Sequence, residues 1–532
     1  MAAPARWGPQ PGTSYLLVPA VGGLVALLTR RFFRPPERAR GANHPSATIT
    51  TTTPSYVLSR WVFLRLLGIV YLAAFVSLWV QIKGLVGRRG ILPVADYLDE
   101  VRRLTGPERY RLVPTLCWLD ASDRGLDRLC AAGVLLSGLL SLNVAPAPVL
   151  LLLWADYLSL SVACQRFLGY QWDALLLETG LCAAFFAPLR LWPRLGREPP
   201  PPRVALWLLR WLLFRLMFMS GLVKLKSGDP AWRTGTALAY HYETQPLPAW
   251  TSWYMRQLPA RFHRLSTWFT FAVELGLPPL MFGPRRCRQV ACAGTVLLQA
   301  IIAATGNFGF FNLLTAALCV PLLDDNCFPR RWRPAVPPTR SSLRRWLGWL
   351  VLPLAAVPVT LSGLELLAAC GHRVRCPRLL GRVREVLAPF RSLNTYGLFA
   401  VMTTRRPEII VEGSNDGRTW LAYEFRWKPG DVRRRPRFTG LHMPRLDWQM
   451  WFAALGSFWD NGWLLQFLVR LLEGSPEVLR LLRHNPFPDA PPRYVRAVLY
   501  DYRFTDRASR KETGAWWRRE ALGLYCPILT TD

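Results

Sequence analysis

Lysine is scarce in this chain of 532 residues. Only five of its 66 basic residues are Lys (Lys83, Lys224, Lys226, Lys428 and Lys511), and the rest are Arg. The formal net charge is +32, yet the Arg residues are scattered over breaks between apolar runs. A nucleic-acid binder gathers its basic residues on one module, so that class is excluded. Arg at the ends of apolar runs fits instead the positive-inside bias and side chains that reach toward an interface. No Cys-x-x-Cys occurs among the 11 cysteines, which leaves neither a redox motif nor a zinc site supported. No Asn-x-Ser/Thr sequon is present, so glycosylation cannot report sidedness. A glycine-rich phosphate loop, His-Glu-x-x-His and Gly-x-Ser-x-Gly are missing as well, which removes several familiar enzyme signatures and with them any expected cofactor.

What the sequence has in quantity is long apolar runs. They fall at 61–80, 147–163, 172–188, 206–225, 266–282, 289–305, 308–323 and 346–369, with a shorter one at 129–144. As helices, such runs cross the ~30 Å hydrocarbon layer of a bilayer. One run alone reads as a buried core helix, but a series separated by Arg- and Pro-rich breaks reads as a membrane domain. The expected fold class is an α-helical polytopic membrane protein of about eight spans, followed by a soluble mixed α/β C-terminal domain that contains a β-sheet. Residues 1–55 are expected to be a disordered extension, 56–391 the multi-pass domain and 392–532 the soluble domain. In the N-terminal part, the apolar run 14–29 precedes RRFFRPPERAR, the reverse of a signal peptide's order. A weak extra span is the alternative there. Cys370 and Cys376, Cys117 with Cys130, and Cys526 are open to pairing or to remaining free thiols.

After residue 391 the pattern changes. Residues 408–412 read as a strand, Ser414-Asn415-Asp416-Gly417 supplies a turn, and Leu421, Tyr423, Phe425 and Trp427 alternate along 419–427. That period of two marks a half-buried strand. Val498, Tyr500, Tyr502 and Phe504 alternate again. Between them, 447–472 and 475–483 read as helices, with Ser475 placed to cap and Pro476 at the first helical position.

Charged groups inside apolar runs are costly and therefore informative. Asp156, Glu178, Arg210, Arg215, Lys224, Glu274 and Glu365 are of this kind. His241 and Glu243 stand two apart in Tyr-His-Tyr-Glu-Thr-Gln, a spacing that does not bring two ligands to one helix face. Glu178, Lys224, His241 and Glu243 either satisfy neighbouring helices or line a polar cavity. An intramembrane enzyme using a cavity around His241 and Glu243 is the alternative reading. A transporter is disfavoured, because no inverted repeat is visible.

Several segments resemble the lipase maturation factor family: WDALLLETG (172–180), SGLVKLKSGDPAW (220–232), YHYETQPLP (240–248), TGNFGFFNLLT (305–315), NTYGLF (394–399), RPEIIVEGSNDGRTW (406–420), RLDWQMWFAALG (445–456), HNPF (484–487) and WWRR (516–519). The similarity runs from about residue 61 to 526, in family order. Its wording leans toward the factor 2 branch, and the short connection before NTYG toward factor 1. Residues 1–55 match nothing in the family. The resemblance implies a multi-pass protein of the endoplasmic reticulum membrane, with its C-terminal domain in the lumen. It implies help in folding and assembly of secreted lipases of the lipoprotein lipase type, without catalysis. The expected partners are those clients and the lipid bilayer. Exposed members of Trp448, Trp451, Trp459 and Trp463, with the strand face around Tyr423 and Trp427, are the candidate client contacts.

Overall fold

The structure is a computed structural model that describes residues 55–333, 343–372 and 376–530, the side chains of 343–354 excepted. The expected N-terminal extension lies outside the described residues. Helices and strands are labelled below in chain order.

Among the described residues, four helices are long and apolar enough to cross a membrane: α1 (Val57–Trp79), α3 (Pro146–Ala163), α5 (Arg203–Lys226) and α8 (Arg285–Thr305). Helix α1 spreads its apolar residues around all its sides, the pattern of a helix without a solvent-facing stripe. Its first turn is not capped locally. The carboxylate of Asp325 accepts from the backbone N–H of Val57, Leu58 and Ser59 at 2.9, 3.0 and 3.1 Å, which satisfies donors that a helix start leaves open. The neighbouring Asp324 is held by Arg285 and Arg288 at 2.8 and 3.2 Å. The start of α1 is thereby tied to the start of α8.

The expectation of about eight spans is thus supported for four. Other apolar runs fold into α2 (Asp123–Ser141), α4 (Gln171–Phe186), α9 (Phe311–Cys319) and α10 (Leu343–Ala369). The run 266–282 is broken. Helix α7 (Ala260–Phe271) passes into a π-helical turn over Ala272–Gly276 and a 3₁₀ turn over Pro278–Phe282, because Pro278 and Pro279 cannot continue an α-helical ladder. Two glycines permit close approach. A Cβ on Gly180 would overlap the Tyr71 hydroxyl, and one on Gly221 would sit 2.7 Å from Leu275 and 3.0 Å from Glu274. Small residues at helix crossings serve this purpose in membranes.

A short helix α6 (Ala237–Thr244) and the amphipathic α11 (Arg378–Leu387) precede the C-terminal sheet. The sheet runs β2-β1-β5-β6 and is antiparallel, with β1 Pro407–Ser414, β2 Leu421–Ala422, β5 Tyr494–Phe504 and β6 Trp517–Thr530. A separate pair joins β3 (Glu424–Phe425) to β4 (Leu482–His484). Strands were therefore expected correctly at 408–412 and around 498–504. The run 419–427 is two short strands instead of one, and the end of the expected helix 475–483 is β4. Helix remains only at Pro476–Leu479, with Pro476 in its first turn. The Ser475 hydroxyl makes no cap there and donates to the Arg89 carbonyl at 2.7 Å. The expected helix 447–472 is two, α12 (Arg445–Ala454) and α13 (Gly462–Leu472), parted at Gly456 and Asn461. All eleven cysteines are free thiols.

Candidate functional site

The first turn of α4 carries Asp173, and Glu178 follows five residues later. Both are almost fully buried, and both reach toward the C-terminal part of the chain. Arg445, the first residue of α12, grips Asp173 with two parallel bonds of 2.6 and 2.7 Å. The Tyr157 hydroxyl donates to the same carboxylate at 2.6 Å. Paired charges of this geometry tolerate burial because each carboxylate oxygen finds a donor. Glu178 is paired with Arg215 of α5, and its other oxygen accepts from the Tyr396 hydroxyl at 2.7 Å and the Asn394 amide at 3.3 Å. It is therefore an anchor for 394–397.

Four further ties complete this joint. Arg406 donates to the backbone carbonyls of Glu243, Gln245 and Pro246, the first and last at 2.9 Å. Asn307 donates to Leu247 and Arg437 carbonyls at 3.1 and 2.8 Å and accepts from the Thr439 N–H at 2.8 Å. Gln81 bridges the Met443 carbonyl at 2.9 Å and the Arg445 N–H at 2.9 Å. Ser77 shares a 3.0 Å hydrogen bond with His442.

The tryptophans of α12 and α13 belong to the same joint. Trp448 packs on Trp172 at 4.9 Å between ring centres and on Phe308 at 5.9 Å. Trp451 donates from its indole to the Thr244 carbonyl at 3.0 Å. Trp463 meets Phe167 at 6.0 Å. These three are buried, as is Tyr423, while Trp427 is half-buried beside His442. As candidate client contacts Trp448, Trp451, Trp463 and Tyr423 are therefore corrected: their rings are already occupied within the chain. Trp459 differs, being 83% exposed. Beside it, Phe458 stacks edgewise on Tyr525 of β6. β6 is the outer strand of the sheet and leaves Leu522, Leu524 and Ile528 exposed. An edge strand offers unpaired backbone N–H and C=O groups to another chain. Sequence reasoning missed β6, since Arg518, Arg519 and Glu520 and a chain of exposed residues hide any alternation.

Lys224 and His241 do line one cavity, of about 530 Å³, among α5, α6, α7, the π turn and α8. Lys224 donates to both oxygens of Glu274, at 2.8 and 2.7 Å, and to the Ser220 carbonyl at 3.2 Å. The His241 ring packs against Phe308 and Phe399, at 6.5 and 5.1 Å between ring centres. Glu243, two residues on, turns away: it accepts from the Phe504 N–H at 3.1 Å and faces Arg256 at 3.5 Å. Spacing of two on a helix puts the side chains on different faces. The acid–base pair of the alternative reading is therefore not assembled.

A family model described as the lipase maturation factor transmembrane domain matches residues 58–330, and one described as the lipase maturation factor C-terminal domain matches 392–527. The chain belongs to the lipase maturation factor family. It is similar to lipase maturation factor 2 of Homo sapiens, at 37% identity over 89% of this chain and 83% of that protein. It is similar to lipase maturation factor 2 of Gallus gallus, at 36% over 88% and 81%. It is also similar to lipase maturation factor 1 of Bos taurus, at 34% over 93% of each. No solved structure matches the chain. Within this chain, the segments that carry the family resemblance are largely those of the joint. WDALLLETG meets NTYGLF and RLDWQMW, and YHYETQPLP meets Arg406, Trp451 and Asn307.

Proposed function

We propose that this chain is a membrane-anchored maturation factor for secreted lipases, acting without catalysis. It resides in the endoplasmic reticulum with the C-terminal domain, about 392–532, in the lumen. Two kinds of support meet. The relatives are named lipase maturation factors. The observation that carries the mechanism is the exposed strip of Trp459 and the outer strand β6 with Leu522, Leu524 and Ile528.

An incompletely folded client exposes apolar side chains and unpaired strand edges. An outer strand next to a large aromatic ring can hold both, the first by contact and the second by backbone hydrogen bonds. Fixing that strip to membrane helices keeps it near clients at high effective concentration. Binding of the immature form then protects it from aggregation by mass action.

The test is co-expression with a dimeric secreted lipase in cells without a maturation factor of their own, reading secreted lipase activity per lipase mass. The wild-type chain raises that ratio. Trp459→Ala, with Leu524→Asp as a second variant, lowers it while the level of the factor itself is unchanged. No rise with the wild-type chain, despite good expression, removes that lipase as a client. An undiminished rise with both variants removes the strip.

A further inference from the structure

The cavity beside Lys224 plays no part in the reading above. Its walls are overwhelmingly apolar, with Trp172, Phe308, Phe311 and Phe399 at one side. Phe262 and Leu265 of α7, and Leu297 and Ile301 of α8, line it and are also exposed on the outer surface. Helix α8 is long and apolar enough to span a bilayer, and only 28% of its most apolar stretch is buried. The side mouth of the cavity is thus bordered, on the α8 side, by apolar side chains exposed on a candidate span. A dry apolar cavity is stable by itself, but one with an apolar mouth toward a bilayer fills with an acyl chain.

The polar lining describes the head of that molecule. All three N–H groups of Lys224 are taken, by Glu274 and Ser220. The ion pair is closed and presents no free cation to a carboxylate or phosphate, and Glu274 would repel either one. Gln299 of α8 is 5% exposed and lines the cavity, and its Oε1 has no hydrogen-bond partner among the described residues. An unpartnered amide in such a place costs about 1–3 kcal/mol, which a ligand's hydroxyl would recover. The His241 ring is held by aromatic contacts and adds a further polar edge to the same lining. At about 530 Å³ the cavity is of the size of small-molecule sites, room for one acyl chain.

We propose that this cavity is a binding site for a single-chain lipid with an uncharged, hydroxyl-bearing head, of the monoacylglycerol class. The chain enters between α7 and α8, and a head hydroxyl donates to Gln299 Oε1 in the lining that the closed Lys224–Glu274 pair shares.

The experiment uses the full chain, purified in detergent, and a monoacylglycerol carrying a photoactivatable group and a tag on its acyl chain. Labelling is saturable, maps to residues 260–305, and is competed by unlabelled monoacylglycerol. Ile301→Trp, which fills the mouth from an exposed position, lowers labelling about tenfold, and Gln299→Leu weakens it about fivefold, the loss of one hydrogen bond. Val290→Trp, exposed on the same helix away from the cavity, leaves it unchanged. Labelling indifferent to Ile301→Trp, or not saturable, overturns the site. Equal or stronger competition by a free fatty acid overturns the uncharged head.

Discussion

Toward the membrane helices, the C-terminal domain turns Trp448, Trp451 and Trp463, each buried against a named neighbour, together with Arg406 and Arg445. Away from them it turns Trp459, Leu522, Leu524 and Ile528, all exposed. The inner face combines aromatic rings with buried ion pairs and backbone bonds. The outer face has apolar side chains and an open strand edge without that polar network. A fixed contact needs geometry that excludes alternatives, which charges and hydrogen bonds supply. A contact with varied clients needs apolar area and backbone groups that accept many sequences. Two faces of one aromatic-rich domain are thus suited to opposite tasks.

The comparison breaks most visibly at the Asp173–Arg445 pair. Arg445→Met leaves a buried carboxylate without its cation and costs about 3–5 kcal/mol. The expected outcome is a large fall in Tm and in the level of the protein in cells. Asp173→Leu combined with Arg445→Met removes both charges, and its Tm lies above that of either single variant. If the double variant is worse than both, the pair is more than a charge match.

Trp448→Ala opens a hole between Trp172 and Phe308, a change that costs about 3–5 kcal/mol in packed cores. The factor's level and client activity should therefore fall together, measured by immunoblot beside lipase specific activity. A normal level with lost client activity would move Trp448 to the client face.

Acid sharpens the contrast next. Burial, then Arg445 and Arg426, push His442 down from 6.5 to about 4. Above pH 6.5 the imidazole is neutral in the folded and unfolded chain alike, and stability does not depend on it. As pH falls through that value the unfolded chain takes up a proton and the folded one does not, so stability declines until pH reaches about 4. Between pH 7 and pH 5.5 the loss is about 1 kcal/mol. A Tm series should show it, and His442→Gln should flatten the series.

The smallest effect is expected on the outer face. Trp459→Ala changes stability by less than about 0.5 kcal/mol, as exposed substitutions do. Its Tm should match the wild type while its client activity does not. A marked drop in Tm would mean that the ring is covered in the working protein.

Much of the architecture was legible in the residues. Apolar runs of span length marked the membrane part, and the change to a period of two after residue 391 marked the sheet. The family segments were legible as words, and most of them proved to lie in the joint. Less legible was which apolar run spans. Pro278 and Pro279 divide 266–282 into a helix, a π turn and a 3₁₀ turn, and Glu274 reaches Lys224 from that π turn. β6 carried no signal, because an outer strand exposed on most of its length has no reason to alternate.

By itself the sequence determined where the apolar runs lie and where the period changes to two, since hydropathy and period depend only on neighbours along the chain. It also determined the family, through long unusual segments. Only the tertiary structure decided where each polar group and ring found its partner. Glu178 and His241 were equal candidates for a cavity, but Glu178 is taken by Arg215 and Tyr396 while His241 lines the apolar space. Trp448 and Trp459 stand eleven residues apart in one apolar stretch, and the break at Gly456–Asn461 sends one inward and the other out. Partners from distant parts of the chain set those outcomes, and no local pattern encodes them.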